Sequence, residues 1–173
     1  MIASDEPVDI ILHDIDVYIT PFQKKIPEVD QSFFFYMKRK LYASPTYIKE
    51  YGDPKDIDDL KNHRLVIMDT INPFVFNMEW ILTLGMEEGK LMTPVFRTSS
   101  FEALVEFVSD GLGIMSCYDE FDLLEKQNLV HILPGVVGMT INVDLLSPRY
   151  LKDDEEVTKF IEYLRKKITK TTG

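Results

Sequence analysis

The chain has 173 residues and a formal net charge of −10. Apolar residues at 45% suit one packed domain or two small lobes, and so acidic a surface excludes autonomous binding to a phosphate backbone. The single cysteine, Cys117, excludes an intrachain disulfide; no apolar run is long enough to span a membrane, and the opening MIASDEPVDI is no signal peptide, so a cytoplasmic protein is expected.

Two β-like runs, Asp9–Leu12 and Asp16–Ile19, come first, and Thr20-Pro21 closes the second because proline cannot donate to a sheet. Residues 22–32 read as a polar loop. Phe33–Ser44 reads as a longer strand, decorated by the one dense basic run, Lys38-Arg39-Lys40. Ser44-Pro45 opens a helix that Gly52 stops. A short helix lies between Asp56 and Asn62, and Arg64–Met68 is a strand with Asp69-Thr70 at its end. The segment from Asn72 to Glu88 is ambiguous, with a helix from about Asn77 to Leu84, broken by Gly85 and Gly89. Pro94–Arg97 is a strand.

The next stretch, RTSSFEALVEFVSDGLGIMS, runs from Arg97 to Ser116. Phe101, Leu104, Val105 and Val108 share one helical face, and Gly111 suits the helix end. Ser99 and Glu102 have the spacing of a capping box. Ile114–Cys117 is strand-like, Asp119–Gln127 a helix, Leu129–Leu133 and Thr140–Leu146 strands. In the closing helix Asp153 is the expected cap, and Val157, Phe160, Ile161, Leu164 and Ile168 form a buried stripe. Helices between strands predict an α/β fold with largely parallel pairing.

In such sheets ligands sit beyond the carboxyl ends of strands, and a helix amino end favours an anion. Thr98, Ser99 and Ser100 follow a strand and precede a helix, so they are candidate ligand contacts as well as cap residues. Thr20, Pro21 and Thr70 also follow strand ends, and Phe101 borders the same turn while serving the core. Catalytic patterns are missing: His13, His63 and His131 have no metal-ligand spacing, and there is no H-E-x-x-H, G-x-S-x-G, P-loop or G-x-G-x-x-G. The reading is a binding module without metal or cofactor, not an enzyme.

The series Leu41-Tyr42-Ala43-Ser44-Pro45, Asp59-Leu60-Lys61-Asn62-His63-Arg64, Ser99–Leu104 with Gly111-Leu112-Gly113-Ile114, and Leu129–Gly135, followed by the closing helix, resembles the effector-binding domain of LysR-type transcriptional regulators. The resemblance implies a type 2 periplasmic-binding-protein-like fold, with two α/β lobes and a small effector in the cleft between them. Residues 1–37 with 148–173 would form part of lobe I, and 38–147 lobe II. It also implies a homo-oligomer that senses a small, anionic metabolite. No helix-turn-helix precedes the domain, and its opening strand and helix are unmatched. The chain therefore reads as N-terminally truncated, with lobe I incomplete and DNA reached only through a domain it lacks. The alternative is a stand-alone solute-binding protein of the same fold.

Overall fold

The computed structural model describes residues 8–21, 25–69, 77, 79–119, 124 and 126–171, with backbone alone for 169–171. The chain divides into two units, residues 38–139 and residues 1–37 with 140–173. Among the described residues no helix is long and apolar enough to cross a membrane.

In the 38–139 unit, the strand β2 (Val29–Ala43) supplies its second half. Ser44 then accepts a hydrogen bond from the Tyr47 backbone N–H, with Pro45 in the first turn, and α1 (Pro45–Tyr51) starts as its sequence predicts. A 3-10 turn (Asp59–Asn62) leads to β3 (Val66–Met68), and among its described residues the ambiguous segment holds a short helix, α2 (Trp80–Thr83). β4 (Phe96–Thr98), α3 (Phe101–Ser109), β5 (Met115–Tyr118) and β6 (Val130–Ile132) follow. The helix expected over Asp119–Gln127 lies largely outside the described residues.

β3 and β4 pair in parallel, and Leu65 and Ile114 form a further parallel bridge, so β4–α3–β5 is a crossover unit. Gly113 makes this possible: a Cβ there would lie 2.7 Å from Val66 Cγ1 and 2.8 Å from the Arg64 carbonyl oxygen. The expectation of largely parallel pairing fails elsewhere. β2 pairs antiparallel with both β5 and β6. Helices between strands dictate direction only for strands joined by a crossover, and β2 joins neither neighbour that way. Two apolar clusters fill this unit. One gathers Leu41, Tyr47, Leu60, Leu65, Ile67, Ile81 and Ile114; the other packs Leu104, Val105 and Val108 of α3 against Val66, Met115 and Cys117.

In the other unit, β1 (Tyr18–Thr20) pairs antiparallel with β7 (Thr140–Pro148), Thr20 opposite Asp144. Residues 140–147, expected in the second lobe, group here because β7 runs along β1. The first β-like run is not a strand. Asp9 Oδ1 accepts from the N–H groups of Ile11 and Leu12, and the His13 N–H reaches the Asp9 carbonyl, so the segment coils into a turn. β2 starts at Val29, inside the expected polar loop. The last helix, α4 (Glu155–Thr171), is capped by Asp154 Oδ1, which accepts from Glu156 and Val157, one residue beyond the expected Asp153. Its stripe is half-buried, with Phe160 50% exposed.

Candidate functional site

The parallel register sets Met68 beside Thr98, so β3 and β4 end side by side, and the Asp69 N–H donates to the Thr98 carbonyl at 2.8 Å. Asp69 and the hydroxyl-rich turn are thereby brought together at the carboxyl edge of this sheet. Thr70 lies outside the described residues.

The turn itself departs from the expected capping box. Ser100, not Ser99, is the cap: its hydroxyl oxygen accepts from the Ala103 N–H at 3.2 Å. Thr98 Oγ1 accepts the Ser100 N–H at 3.0 Å, a local turn that carries the chain one residue further before the helix begins. The Ser100 hydroxyl in turn donates to Glu102 Oε2 at 3.1 Å. Thr98 and Ser100 are thus occupied in building the turn. Ser99 is exposed, and its hydroxyl takes no partner among the described residues. Phe101 is half-buried against the α3 cluster.

The one cation beside the turn, among the described residues, is shared by two carboxylates. Arg97 donates through Nη1 to Asp69 Oδ1 at 2.9 Å and to Glu79 Oε1 at 3.1 Å. The two carboxylates, Asp69 first, hold the guanidinium in its charged form. Thr20 and Pro21 belong to the other unit. Thr20 is 1% exposed at the end of β1, and Pro21 is half-buried.

Two further features escaped the sequence reading. Arg39, read as surface decoration, is 1% exposed. Its guanidinium donates to the Asn77 carbonyl and to the Tyr118 hydroxyl, and lies 4.7 Å from the centre of the Tyr118 ring. Strand alternation carried the signal, since inward Leu41 and Ala43 put Arg39 on the same face. Lys40, on the other face, pairs with Asp119 at 2.6 Å.

The second feature is a relay behind β3. The Arg64 N–H donates to the Tyr47 hydroxyl oxygen at 2.9 Å, and that hydroxyl lies 3.0 Å from His63 Nδ1. The Tyr47 hydroxyl and His63 Nδ1 thus share one hydrogen, with the donor set by the tautomer of the ring. Burial pushes the His63 pKa down, against the pull of Asp59 and Asp53, and pushes the Tyr47 pKa up. No signal in the sequence joins residues 16 apart in this way.

A family model of the LysR substrate binding domain matches residues 2–169. The HTH-type transcriptional activator TtdR of Escherichia coli (strain K12) is 27% identical over 134 residues, 75% of this chain and 42% of TtdR, so the chain spans less than half of that relative's length. Two solved structures share the fold. The regulatory domain of CrgA, a LysR-type transcriptional regulator from Neisseria meningitidis, superposes with a TM-score of 0.68 at 18% identity, covering 91% of this chain and 77% of that one. The effector domain of the transcriptional regulator AmpR of Pseudomonas aeruginosa gives 0.63 at 14% identity, covering 94% and 77%.

Proposed function

Because the chain belongs to the LysR substrate-binding domain family, whose fold is of the type 2 periplasmic-binding-protein kind and whose members are not enzymes, we propose that it senses a small anionic metabolite through the turn between β4 and α3. The observation that carries this reading is the exposed Ser99 hydroxyl at the carboxyl edge of two parallel strands, at the amino end of a nine-residue helix. Ser99 donates to the ligand. Thr98 and Ser100 hold the turn in shape, and Phe101 offers an apolar edge. Arg97 offsets one of the two charges of Asp69 and Glu79, so an incoming anion has to gain its affinity from the turn against a local negative excess. Thr20, Pro21 and Thr70 stay candidate contacts on the strength of the family resemblance alone. A ligand that binds one conformation more tightly than another shifts the population toward it. In a longer regulator that shift reaches DNA through a helix-turn-helix domain outside this chain, within a homo-oligomer.

The test is a thermal melt of the chain with a panel of short mono- and dicarboxylates. One member raises the transition, by about 2.7 kcal/mol of added stability at a hundredfold excess over its Kd. Ser99→Ala leaves the ligand-free transition in place and abolishes the increase. A panel that raises nothing, or an increase that survives Ser99→Ala, refutes the role given to this turn.

A further inference from the structure

We infer that the cavity beside Leu65 is a second small-molecule site, built to take an organic acid with an apolar body. It lies wholly within the 38–139 unit and has a volume of about 520 Å³, within the usual range for small-molecule sites. Leu65 precedes β3, whereas the hydroxyl-rich turn follows Thr98 of β4, which pairs with Met68 at the far end of β3, so a strand length of roughly 10 Å separates the two places.

The wall is formed by close approach of two turns. Gly85, at φ +68°, lies against Ile57 and Asp58, where a Cβ would stand 3.1 Å from the Ile57 carbonyl oxygen. The Met86 N–H bonds the Thr83 carbonyl, the Lys90 N–H that of Glu87 and the Met92 N–H that of Leu82, so the other wall is pinned along its length. Leu60 and Leu65, fully buried, make an apolar floor, and Met86 and Met92 line it with adaptable thioethers.

The polar part of the lining holds Lys61, His63, Lys90 and Thr93 together with one carboxylate, Glu87. His63 has its Nδ1 engaged by the Tyr47 hydroxyl, which leaves Nε2 for a ligand, as a donor when the ring or that nitrogen is protonated. Lys61 and Lys90 also line the cavity. Each holds a surface carboxylate of its own, Asp58 and Glu87, whose side chains are 73% and 79% exposed. Such exposed pairs are weak and exchange readily, so a carboxylate delivered by a ligand with an apolar body replaces them at little loss. Two lysines and a histidine among the lining residues, over a floor of leucine and methionine, match a carboxylate attached to an aromatic or branched hydrocarbon, which competes with Glu87 for Lys90.

The experiment titrates the full chain, labelled with 13C at the methionine methyls, with 3-phenylpropionate. Met86 and Met92 are assigned through Met86→Leu and Met92→Leu. The expected result is a saturable shift of both methyls that persists in Ser99→Ala, so that failure here and failure of the turn as effector site are separable. Lys61→Gln with Lys90→Gln, at two exposed positions, melts like the parent and binds at least roughly tenfold more weakly, because charge-assisted hydrogen bonds are lost. The neutral 3-phenylpropionamide shows the same loss. The inference is overturned by an absence of saturable shifts at these methyls, by shifts that vanish in Ser99→Ala, or by equal affinity for acid and amide.

Discussion

The two units bury very different amounts of apolar surface for their length. The 38–139 unit closes one cluster around Leu65 and Ile67 and another around α3, each fed by a strand, a helix and a turn. Among its described residues the other unit has a single small cluster, Ile10, Val29 and Leu146, and leaves Phe33, Tyr36, Phe160 and Tyr163 about half exposed, each between 45% and 55%. What ties its elements is largely polar. Arg165 donates to the Phe33 carbonyl and to Ser32, Arg149 pairs with Asp30, and Gln31 donates to the buried Asp144. Burial of apolar area stabilises in proportion to that area, whereas exposed ion pairs add little. The unit with the hydroxyl-rich turn and the cavity is therefore the better packed, and both proposed sites, Ser99 and the cavity, are placed on it.

Truncation inside each unit breaks or upholds this contrast with the largest effect. Leu104→Ala, at a fully buried position on α3, is expected to cost about 2–5 kcal/mol. Leu164→Ala, on the half-buried stripe of α4, is expected to cost under about 1.5 kcal/mol. Urea titrations followed by backbone circular dichroism measure both, and Trp80, the chain's one tryptophan, reports on the 38–139 unit by fluorescence. Equal costs for the two leucines would dissolve the contrast.

A smaller effect separates two neighbouring serines. Ser100→Ala removes the acceptor for the Ala103 N–H and should cost about 1 kcal/mol. Ser99→Ala, at an exposed position outside the cap, should stay within about 0.5 kcal/mol. The reverse order would restore Ser99 as the cap and remove the reason for treating it as a ligand contact.

That pair also marks where the sequence stops being legible. Helix α1 reads directly, because Ser44, Pro45 and Gly52 each act locally. The α3 start is off by one residue, because two serines compete for the same role and the Thr98 side chain decides between them by taking the Ser100 N–H. The antiparallel pairing of β2 is illegible for a different reason: Leu41 meets Ser116 and Ile132, and separations so long leave no trace in local pattern. Arg39 was legible by alternation, yet a basic triplet looks like surface. Of the candidate site, the strand-end hydroxyls are visible in sequence. The Tyr47–His63 bond and the cavity beside Leu65 exist only after α1 and the 59–65 segment have packed.

The smallest expected effect is on pH, and it too belongs to the better-packed unit. His63 and His131 both lie in the 38–139 unit, and burial is the first cause lowering each pKa below its ordinary value of 6.5; Asp59 and Asp53 oppose it at His63, Asp119 at His131, where Lys40 adds to the lowering. A base with a depressed folded-state pKa binds fewer protons folded than unfolded. Stability therefore rises with pH through this range, is fully present above 6.5, and is lost as pH falls toward the folded-state values. At His63 there is a structural cause for the loss as well: the protonated ring can only donate, and its Nδ1 then faces a Tyr47 hydroxyl oxygen that also receives the Arg64 N–H. Urea midpoints read on Trp80 should fall between roughly pH 7.5 and pH 5.5, the window around an ordinary histidine. His63→Gln with His131→Gln should flatten that fall. A double variant as pH-sensitive as the parent would assign the effect to carboxylates instead, and a parent with no fall at all would mean that both rings stay equally hydrated in the folded and unfolded chain.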